Sequence, residues 1–294
     1  MRVFVTGATG GIGSAVVSEL ISAGHQVLGL ARSAASAERL IAAGAVPLVG
    51  DLADANSLRT GVEQTDGVIQ LAFSNDFTRI EEGIAEEKAA VEAIGAALIG
   101  SHKPIVFASG TPAAPGRVTT EEEPMSEEGP MGGRARNARY LLELAEQGVR
   151  SSVVRLPRSV HQRGVAYGFA SFLIETARHT GVSGYVGDGS QRWPAVHRLD
   201  AAHLFRIMLE DAAPGSIAHA VGDEGDTMRS LAEAIGGALG LPVEQVAAEQ
   251  YGFLGTVFEV DQPSSSFATQ RRFGWEPSHP SLLADLEAGN YPLG

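Results

Sequence analysis

The chain has 294 residues, of which 44% are hydrophobic, and a formal net charge of −13. This length can bury a large core in one large domain or two smaller ones. The negative charge argues against nucleic acid or an anionic membrane as a partner. The absence of cysteine excludes disulfides, a thiolate nucleophile and a cysteine-ligated metal. No apolar run reaches the ~20 residues of a membrane span, and no signal-peptide pattern opens the chain, so we expect a cytoplasmic protein.

Short apolar runs alternate with helical patterns along the chain. The runs are apolar on both faces, which is typical of strands covered by helices on each side. The predicted strands are 3–5, 27–30, 46–49, 67–72, 104–109, 152–156 and 217–221. The predicted early helices are 12–23, 34–43, 56–64 and 81–100. This alternation predicts an α/β fold with a Rossmann-type, doubly wound parallel sheet.

The chain is expected to have two parts. Residues 1–160 and 185–222 would form the nucleotide-binding part. Residues 161–184 and 223–294 would form a small, mainly helical C-terminal substrate-binding part. The helical patterns are compatible with a monomer or a homodimer.

A glycine-rich turn, VFVTGATGGIG, joins the first strand to the first helix. Gly7 permits a tight turn, Gly10 lets the backbone approach a pyrophosphate, and Gly13 allows close packing of helix on strand. The amides at the helix start would face the phosphates with the positive end of the helix dipole. The turn therefore predicts a dinucleotide site, whose other members would be Thr9, Gly11 and Ile12.

The motifs in this chain resemble those of the short-chain dehydrogenase/reductase superfamily, particularly its extended, epimerase/dehydratase-like branch. The matching stretches follow the family's order and cover most of residues 1–222. They are TGATGGIG (6–13), GDLAD (50–54), VIQLAF (68–73), VFASG (106–110), VVRLPRSVHQRG (153–164) and WPAVHRLDAAHL (193–204).

The resemblance implies roles for several of these residues. Asp51 would contact the adenine amino group and Leu52 the adenine ring. The strand end that carries Leu71, Ala72 and Phe73 would pass under the nicotinamide-side ribose.

The resemblance also implies an active-site serine, Ser109, after the fifth strand. Residues expected on the substrate side are Ser74, His161, Trp193 and His197. For Trp193 and His197, packing is the simpler alternative. The histidines show no metal-binding spacing, so no metal site is expected.

The end of the second strand bears on cofactor choice. An acidic residue there would hold both ribose hydroxyls and repel a 2′-phosphate. This chain has Arg32 and Ser33 instead, a guanidinium and a hydroxyl that can bind a 2′-phosphate. The alternative is that Arg32 is an ordinary surface arginine. The pattern favours NADP(H) over NAD(H).

The expected proton donor is missing. Carbonyl reduction in this superfamily uses a Tyr-x-x-x-Lys pair, in which lysine lowers the pKa of the tyrosine. No tyrosine here is followed by lysine four residues later. Arg134 falls about where the tyrosine belongs, and Ala138 where the lysine belongs. Because arginine is a poor proton donor, loss of the general acid would cost roughly 10²–10⁴ in rate.

Three interpretations remain open. The first is an NAD(P)(H)-dependent oxidoreductase that reduces the carbonyl of a small molecule. In it Ser109 and Thr111 would donate hydrogen bonds to the carbonyl, and Arg134 would supply positive charge. Tyr167 or His161 would supply the proton. The alternatives are a non-catalytic NADP(H)-binding regulator of the NmrA-like class and an epimerase or dehydratase that acts on a sugar nucleotide.

Overall fold

The apolar runs of the sequence form the strands of a computed structural model that describes residues 1–74 and 76–289. The strands are β1 (Arg2–Thr6), β2 (Gln26–Ala31), β3 (Val46–Val49), β4 (Gly67–Gln70), β5 (Pro104–Gly110), β6 (Arg150–Leu156), β7 (Ser159–His161), β8 (Ser183–Val186), β9 (Arg192–His197), β10 (Ser216–His219), β11 (Asp223–Thr227) and β12 (Val243–Val246).

The helices alternate with these strands along the chain. They are α1 (Gly11–Ser22), α2 (Ala34–Ala42), α3 (Ala55–Glu63), α4 (Ile80–Leu98), α5 (Gly132–Glu143), α6 (Gly168–Thr180), α7 (Arg198–Asp211), α8 (Met228–Leu239), α9 (Gly255–Phe258), α10 (Phe267–Phe273) and α11 (Leu282–Glu287). Short 3₁₀ helices lie at Phe77–Arg79, Leu144–Gln147 and Ala248–Leu254. No helix in the described ranges has both the length and the apolar composition that a membrane crossing requires.

A seven-stranded sheet has the order β10-β6-β5-β4-β1-β2-β3. The pairs β3–β2, β2–β1, β1–β4 and β4–β5 are parallel. The strand order reverses between β1 and β4, and in open α/β sheets ligands bind at the carboxyl ends of the strands beside such a reversal. The predicted Rossmann-type sheet is confirmed, with strand ends shifted by one or two residues at most positions.

Residue contacts divide the chain into two units. The first unit consists of Met1–Ser109, Met125–Arg155 and Ala202–Ala218, and the second of Gly110–Pro124, Leu156–Ala201 and His219–Gly294. Residues 185–201 pack within the second unit, and the expected division into a nucleotide-binding and a substrate-binding part stays a prediction. The final residues of the expected substrate-binding part, 290–294, lie outside the described residues.

Each unit has its own apolar core. In the first unit the side chains of β1, β4 and β5 pack against α4 and α5. In the second unit α6, α8 and α11 surround the fully buried Trp193 and Phe258. The second unit also holds two small sheets, β11-β9-β7 and β12-β8. Their strands are short, and β11, with the sequence DEGDT, carries no apolar run that would reveal it.

Candidate functional site

The glycine turn after β1 has the geometry that a pyrophosphate site requires. Gly7 has φ +64°, and a Cβ atom there would lie 2.8 Å from the backbone nitrogen of Ala72. A Cβ atom at Gly13 would lie 2.0 Å from the carbonyl oxygen of Gly7. The Gly10 amide donates to that same oxygen at 2.9 Å, and no side chain caps α1 at Gly10. These close approaches admit only glycine at Gly7 and Gly13, and they leave the start of α1 open to a phosphate.

A buried polar pair fixes the backbone next to this turn. The Thr6 hydroxyl donates to the side-chain oxygen of Gln70, and both side chains are almost fully buried. The Thr6 oxygen also accepts from the amides of Leu71 and Ala72, each at 3.3 Å, while the Gln70 side-chain nitrogen donates to the Ala72 carbonyl at 3.1 Å. The segment that was expected to pass under the ribose, Leu71 to Phe73, is therefore anchored and half-buried, and so is Ser74, expected on the substrate side. Sequence reasoning missed this pair, although polar residues ending two buried strands were a visible signal.

The region that was expected to bind the adenosine end follows β2 and β3. Arg32 is exposed and has no ion-pair or hydrogen-bond partner among the described residues. The Ser33 hydroxyl caps α2, because it accepts from the Ser36 amide at 3.2 Å. Asp51 accepts from the Ala53 amide at 2.9 Å, and Leu52 packs against the core of the first unit. Their contacts with a nucleotide stay predictions.

Ser109 lies at the carboxyl end of β5. Its side chain is buried, and its hydroxyl has no hydrogen-bond partner among the described residues. A buried hydroxyl without a partner costs free energy unless water, a ligand or a substrate completes it. Ser109 thus combines an expected role with a buried hydroxyl that lacks a partner among the described residues.

Arg134 is held in an ion pair that the sequence did not reveal. Its guanidinium donates to both carboxylate oxygens of Glu87, from Nη2 at 2.9 Å and from Nε at 3.1 and 3.2 Å. Nη2 also donates to the carbonyl of Ala108 at 2.7 Å. The guanidinium carbon lies 4.1 Å from the centre of the Phe73 ring. Asn137 adds a hydrogen bond of 2.9 Å to the same carboxylate.

This pair corrects the expected role of Arg134. Glu87 is only 1% exposed, so its carboxylate depends on Arg134 for compensation. The positive charge of Arg134 is thus already matched by Glu87, and the residue is better described as a positioning residue than as a source of positive charge for a substrate oxygen. Ala138, at the expected lysine position, is buried in the apolar core, and Lys103 donates to the Val62 carbonyl.

In the second unit, Thr111 belongs to a chain of polar contacts. Its amide donates to the Leu156 carbonyl at 2.9 Å. Its carbonyl and hydroxyl oxygens accept from the Gln262 side chain at 2.7 and 3.3 Å. The side-chain oxygen of Gln262 accepts in turn from Arg158. Thr111 thus contributes both its backbone and its side chain to this network.

Three histidines of the second unit lie together. His161 is buried, with Nδ1 2.9 Å from a carboxylate oxygen of Asp285 and Nε2 without a partner among the described residues. The His197 ring meets the His161 ring edge-on, with 5.5 Å between centroids. Burial and the neighbouring His279 and His161 lower the pKa of His197 to about 4. Both His161 and His197, expected on the substrate side, are thus largely closed to solvent, and His197 is neutral at pH 7.

One group of side chains has the composition of a metal site. Possible ligand atoms of His197, Asp200 and His279 lie within 4.8 Å of one another. However, the two imidazole rings are stacked with their planes 6° apart and their centroids 4.5 Å apart. Because an imidazole nitrogen binds a metal in the plane of its ring, two parallel stacked rings cannot share one ion. Asp200 already accepts from Ser278 and His279. The arrangement is therefore better explained as a hydrogen-bonded cluster.

Two further candidates differ in their exposure. Tyr167 precedes α6 and is half-buried, and burial raises the pKa of its hydroxyl. Trp193 is fully buried, packs against Phe169 and Phe258, and donates to the Val260 carbonyl at 3.2 Å. The placement of Trp193 gives no support to a direct substrate contact, because its ring belongs to the core of the second unit.

Known proteins share both the sequence and the fold. Residues 3–221 match a model of the NAD dependent epimerase/dehydratase family. Uncharacterized protein C2A9.02 of Schizosaccharomyces pombe is 43% identical and covers 99% of this chain and 100% of its own length. Uncharacterized protein YLL056C of Saccharomyces cerevisiae is 41% identical, with 100% of both chains covered. DesIV, a dTDP-glucose 4,6-dehydratase from Streptomyces venezuelae solved with NAD bound, has a TM-score of 0.80 at 18% identity and covers 98% of this chain and 95% of its own.

Proposed function

The chain belongs to the NAD dependent epimerase/dehydratase family, in agreement with its resemblance to the extended short-chain dehydrogenases, and from this membership we propose an NADP(H)-dependent oxidoreductase that reduces the carbonyl of a small molecule. A nicotinamide cofactor is the family's common feature, and the glycine turn of this chain fits one. Preference for NADP(H) rests on Arg32, an exposed guanidinium with no partner among the described residues. The nicotinamide would supply the hydride.

Ser109 carries the proposal. A hydroxyl that is buried without a partner is a preorganised hydrogen-bond donor, and it would stabilise the negative charge that develops on a carbonyl oxygen during reduction. Such a donor acts in the transition state more than in the ground state, so it would affect turnover more than binding. The Arg134–Glu87 pair would hold α4 and α5 together around it, since Arg134 also donates to the carbonyl of Ala108, the neighbour of Ser109.

The proton for the product alcohol has no tyrosine–lysine pair to supply it. Tyr167 carries its proton at neutral pH, and because burial raises the pKa of its hydroxyl, it is a weaker acid than a tyrosine assisted by lysine. Burial lowers the pKa of His161, so its imidazole is neutral at pH 7 and is a poorer source of a proton. We therefore favour Tyr167 as the proton donor of the proposed reaction.

Steady-state NADPH oxidation over aldehydes, ketones and nucleotide sugars tests the proposal, beside a titration of NADPH binding. We expect turnover of at least one carbonyl compound. Ser109→Ala should then lower kcat by about 10²–10³ and leave NADPH affinity unchanged, since removal of one oxyanion donor has effects of this size.

Ser152→Ala is the matched control, because the Ser152 hydroxyl is also buried but donates to the Ile105 carbonyl. Equal kinetics of the Ser109 and Ser152 variants would remove Ser109 from the site. NADPH binding without turnover of any compound would favour the regulator, and an epimerised product without net NADPH consumption would favour the epimerase.

A further inference from the structure

Arg158 is a cation of the second unit that lacks a compensating charge. It lies between β6 and β7, where its side chain is mostly withdrawn from solvent. Nη2 donates to the side-chain oxygen of Gln262. Nε is buried and has no hydrogen-bond partner, and no carboxylate pairs with Arg158 within residues 1–74 and 76–289.

The groups around Arg158 are neutral and fixed. Its guanidinium carbon lies 5.4 Å from the centre of the Trp193 ring, which is held in the core of the second unit. The Gln262 side-chain nitrogen donates to Thr111. These hydrogen bonds fix the orientation of the amide, so that its oxygen accepts from Arg158. One neutral acceptor and one ring face orient the guanidinium but do not neutralise it.

Two other half-buried arginines are paired with carboxylates. Arg134 meets Glu87, and Arg192 meets Asp261 through Nε at 3.1 Å and Nη2 at 2.9 Å. Burial lowers the pKa of Arg158 to about 10, which reflects the free-energy cost of a charge withdrawn from water. A guanidinium that is buried and unpaired is unfavourable unless an anion completes it.

We infer that Arg158 binds an anionic group of a small molecule, a carboxylate or a phosphate, with Gln262 as the residue that orients its guanidinium. The planar fork of arginine matches both groups, and its unpartnered Nε supplies one of the two parallel donors that a bidentate contact uses. This site is not among the expected cofactor residues. This anion site does not depend on the proposed reduction, because the inference concerns only the binding of an anion to Arg158.

Thermal unfolding and calorimetric titration with two probes, inorganic phosphate and malonate, test this inference at constant ionic strength. NADPH is present in every sample, so that phosphate does not act at the glycine turn. We expect at least one probe to raise the Tm of the wild-type chain by about 2–4 °C at concentrations several-fold above its Kd. Arg158→Met should abolish that shift and weaken the probe at least ~10-fold. A response to phosphate alone or to malonate alone identifies the class of anion.

Arg229→Met is the matched control. Arg229 also lies over an aromatic ring, that of Tyr185 at 4.5 Å, but it is exposed. This variant should keep the wild-type shift. The inference fails if neither probe shifts the wild type, or if Arg158→Met shifts as much as the wild type. Should Arg158→Met not fold, Arg158→Lys replaces it, because lysine keeps the charge but loses the fork. Wild-type affinity of the lysine variant for both probes would equally overturn the inference.

Discussion

Arg134 and Glu87 show how one residue at a familiar position can change its chemistry. Arg134 stands about where the resemblance places the proton donor, and its guanidinium is paired with a buried carboxylate on α4. The two lie 47 residues apart on different helices, so no local pattern of the sequence could pair them. Ser109 was predictable as a site residue from its place after an apolar strand. Only the structure shows that its hydroxyl lacks a hydrogen-bond partner among the described residues.

Arg134→Ala is expected to destabilise the protein by about 3–5 kcal/mol, because it leaves the carboxylate of Glu87 buried and unpaired. Chemical denaturation measures this change. Arg139→Ala is the control on the same helix, since Arg139 is exposed and pairs with Glu127 and Glu143. That variant should have nearly wild-type stability. If both variants unfolded at the same denaturant concentration, the buried pair would not be formed in solution.

Arg32→Asp should weaken NADPH binding far more than NADH binding. A guanidinium–phosphate contact contributes roughly 1.5–3 kcal/mol, so the change should be at least ~10-fold for NADPH. Asp would also repel the 2′-phosphate. Fluorescence titration of both nucleotides measures this ratio. Arg59→Asp, at an exposed position of α3, serves as the control. Equal losses for NADPH and NADH would mean that Arg32 does not contact the 2′-phosphate.

Among the secondary-structure elements, the buried strands are the ones that the sequence predicts best. The strands of the large sheet are apolar on both faces, so β1 to β6 and β10 could be located from composition alone. β11 and β12 could not, because the strand sequences DEGDT and VEQV carry little apolar signal and form only through partners distant in the chain. The packing of residues 185–201 could not be read from the sequence for a related reason. Residues 185–201 include β9, whose partners β7 and β11 lie in the second unit.

The turn from β1 to α1 gives a prediction at this scale. Gly13→Ala would place a methyl group 2.0 Å from the Gly7 carbonyl, so α1 and the turn must separate. We expect loss of NADPH binding together with a lower Tm. Gly237→Ala is the control, because Gly237 lies in a helix with open space around it, and alanine there should stabilise the helix by up to ~1 kcal/mol. Retained NADPH affinity in Gly13→Ala would contradict the close packing described for this turn.

For the whole molecule, the fold and the family leave reduction, epimerisation and regulation as separate outcomes. Relatives with 43% and 41% identity extend over nearly the full chain, while solved structures at 18% identity share the fold alone. The reaction must therefore be argued from this chain's own groups. An unpartnered buried hydroxyl at Ser109 favours stabilisation of a carbonyl oxygen, and the absence of a Tyr-x-x-x-Lys pair separates this site from ordinary members.

Transfer of deuterium tests the central claim most directly. NADPH that carries deuterium at the transferable position of the nicotinamide is incubated with the protein and a carbonyl compound found by the oxidation screen, and the product is examined by mass spectrometry. Hydride transfer predicts an alcohol that bears deuterium at the former carbonyl carbon, formed in step with NADPH oxidation and strongly slowed in Ser109→Ala. A product without deuterium would contradict the assignment as a reductase. So would deuterium that remains entirely in the bound nucleotide.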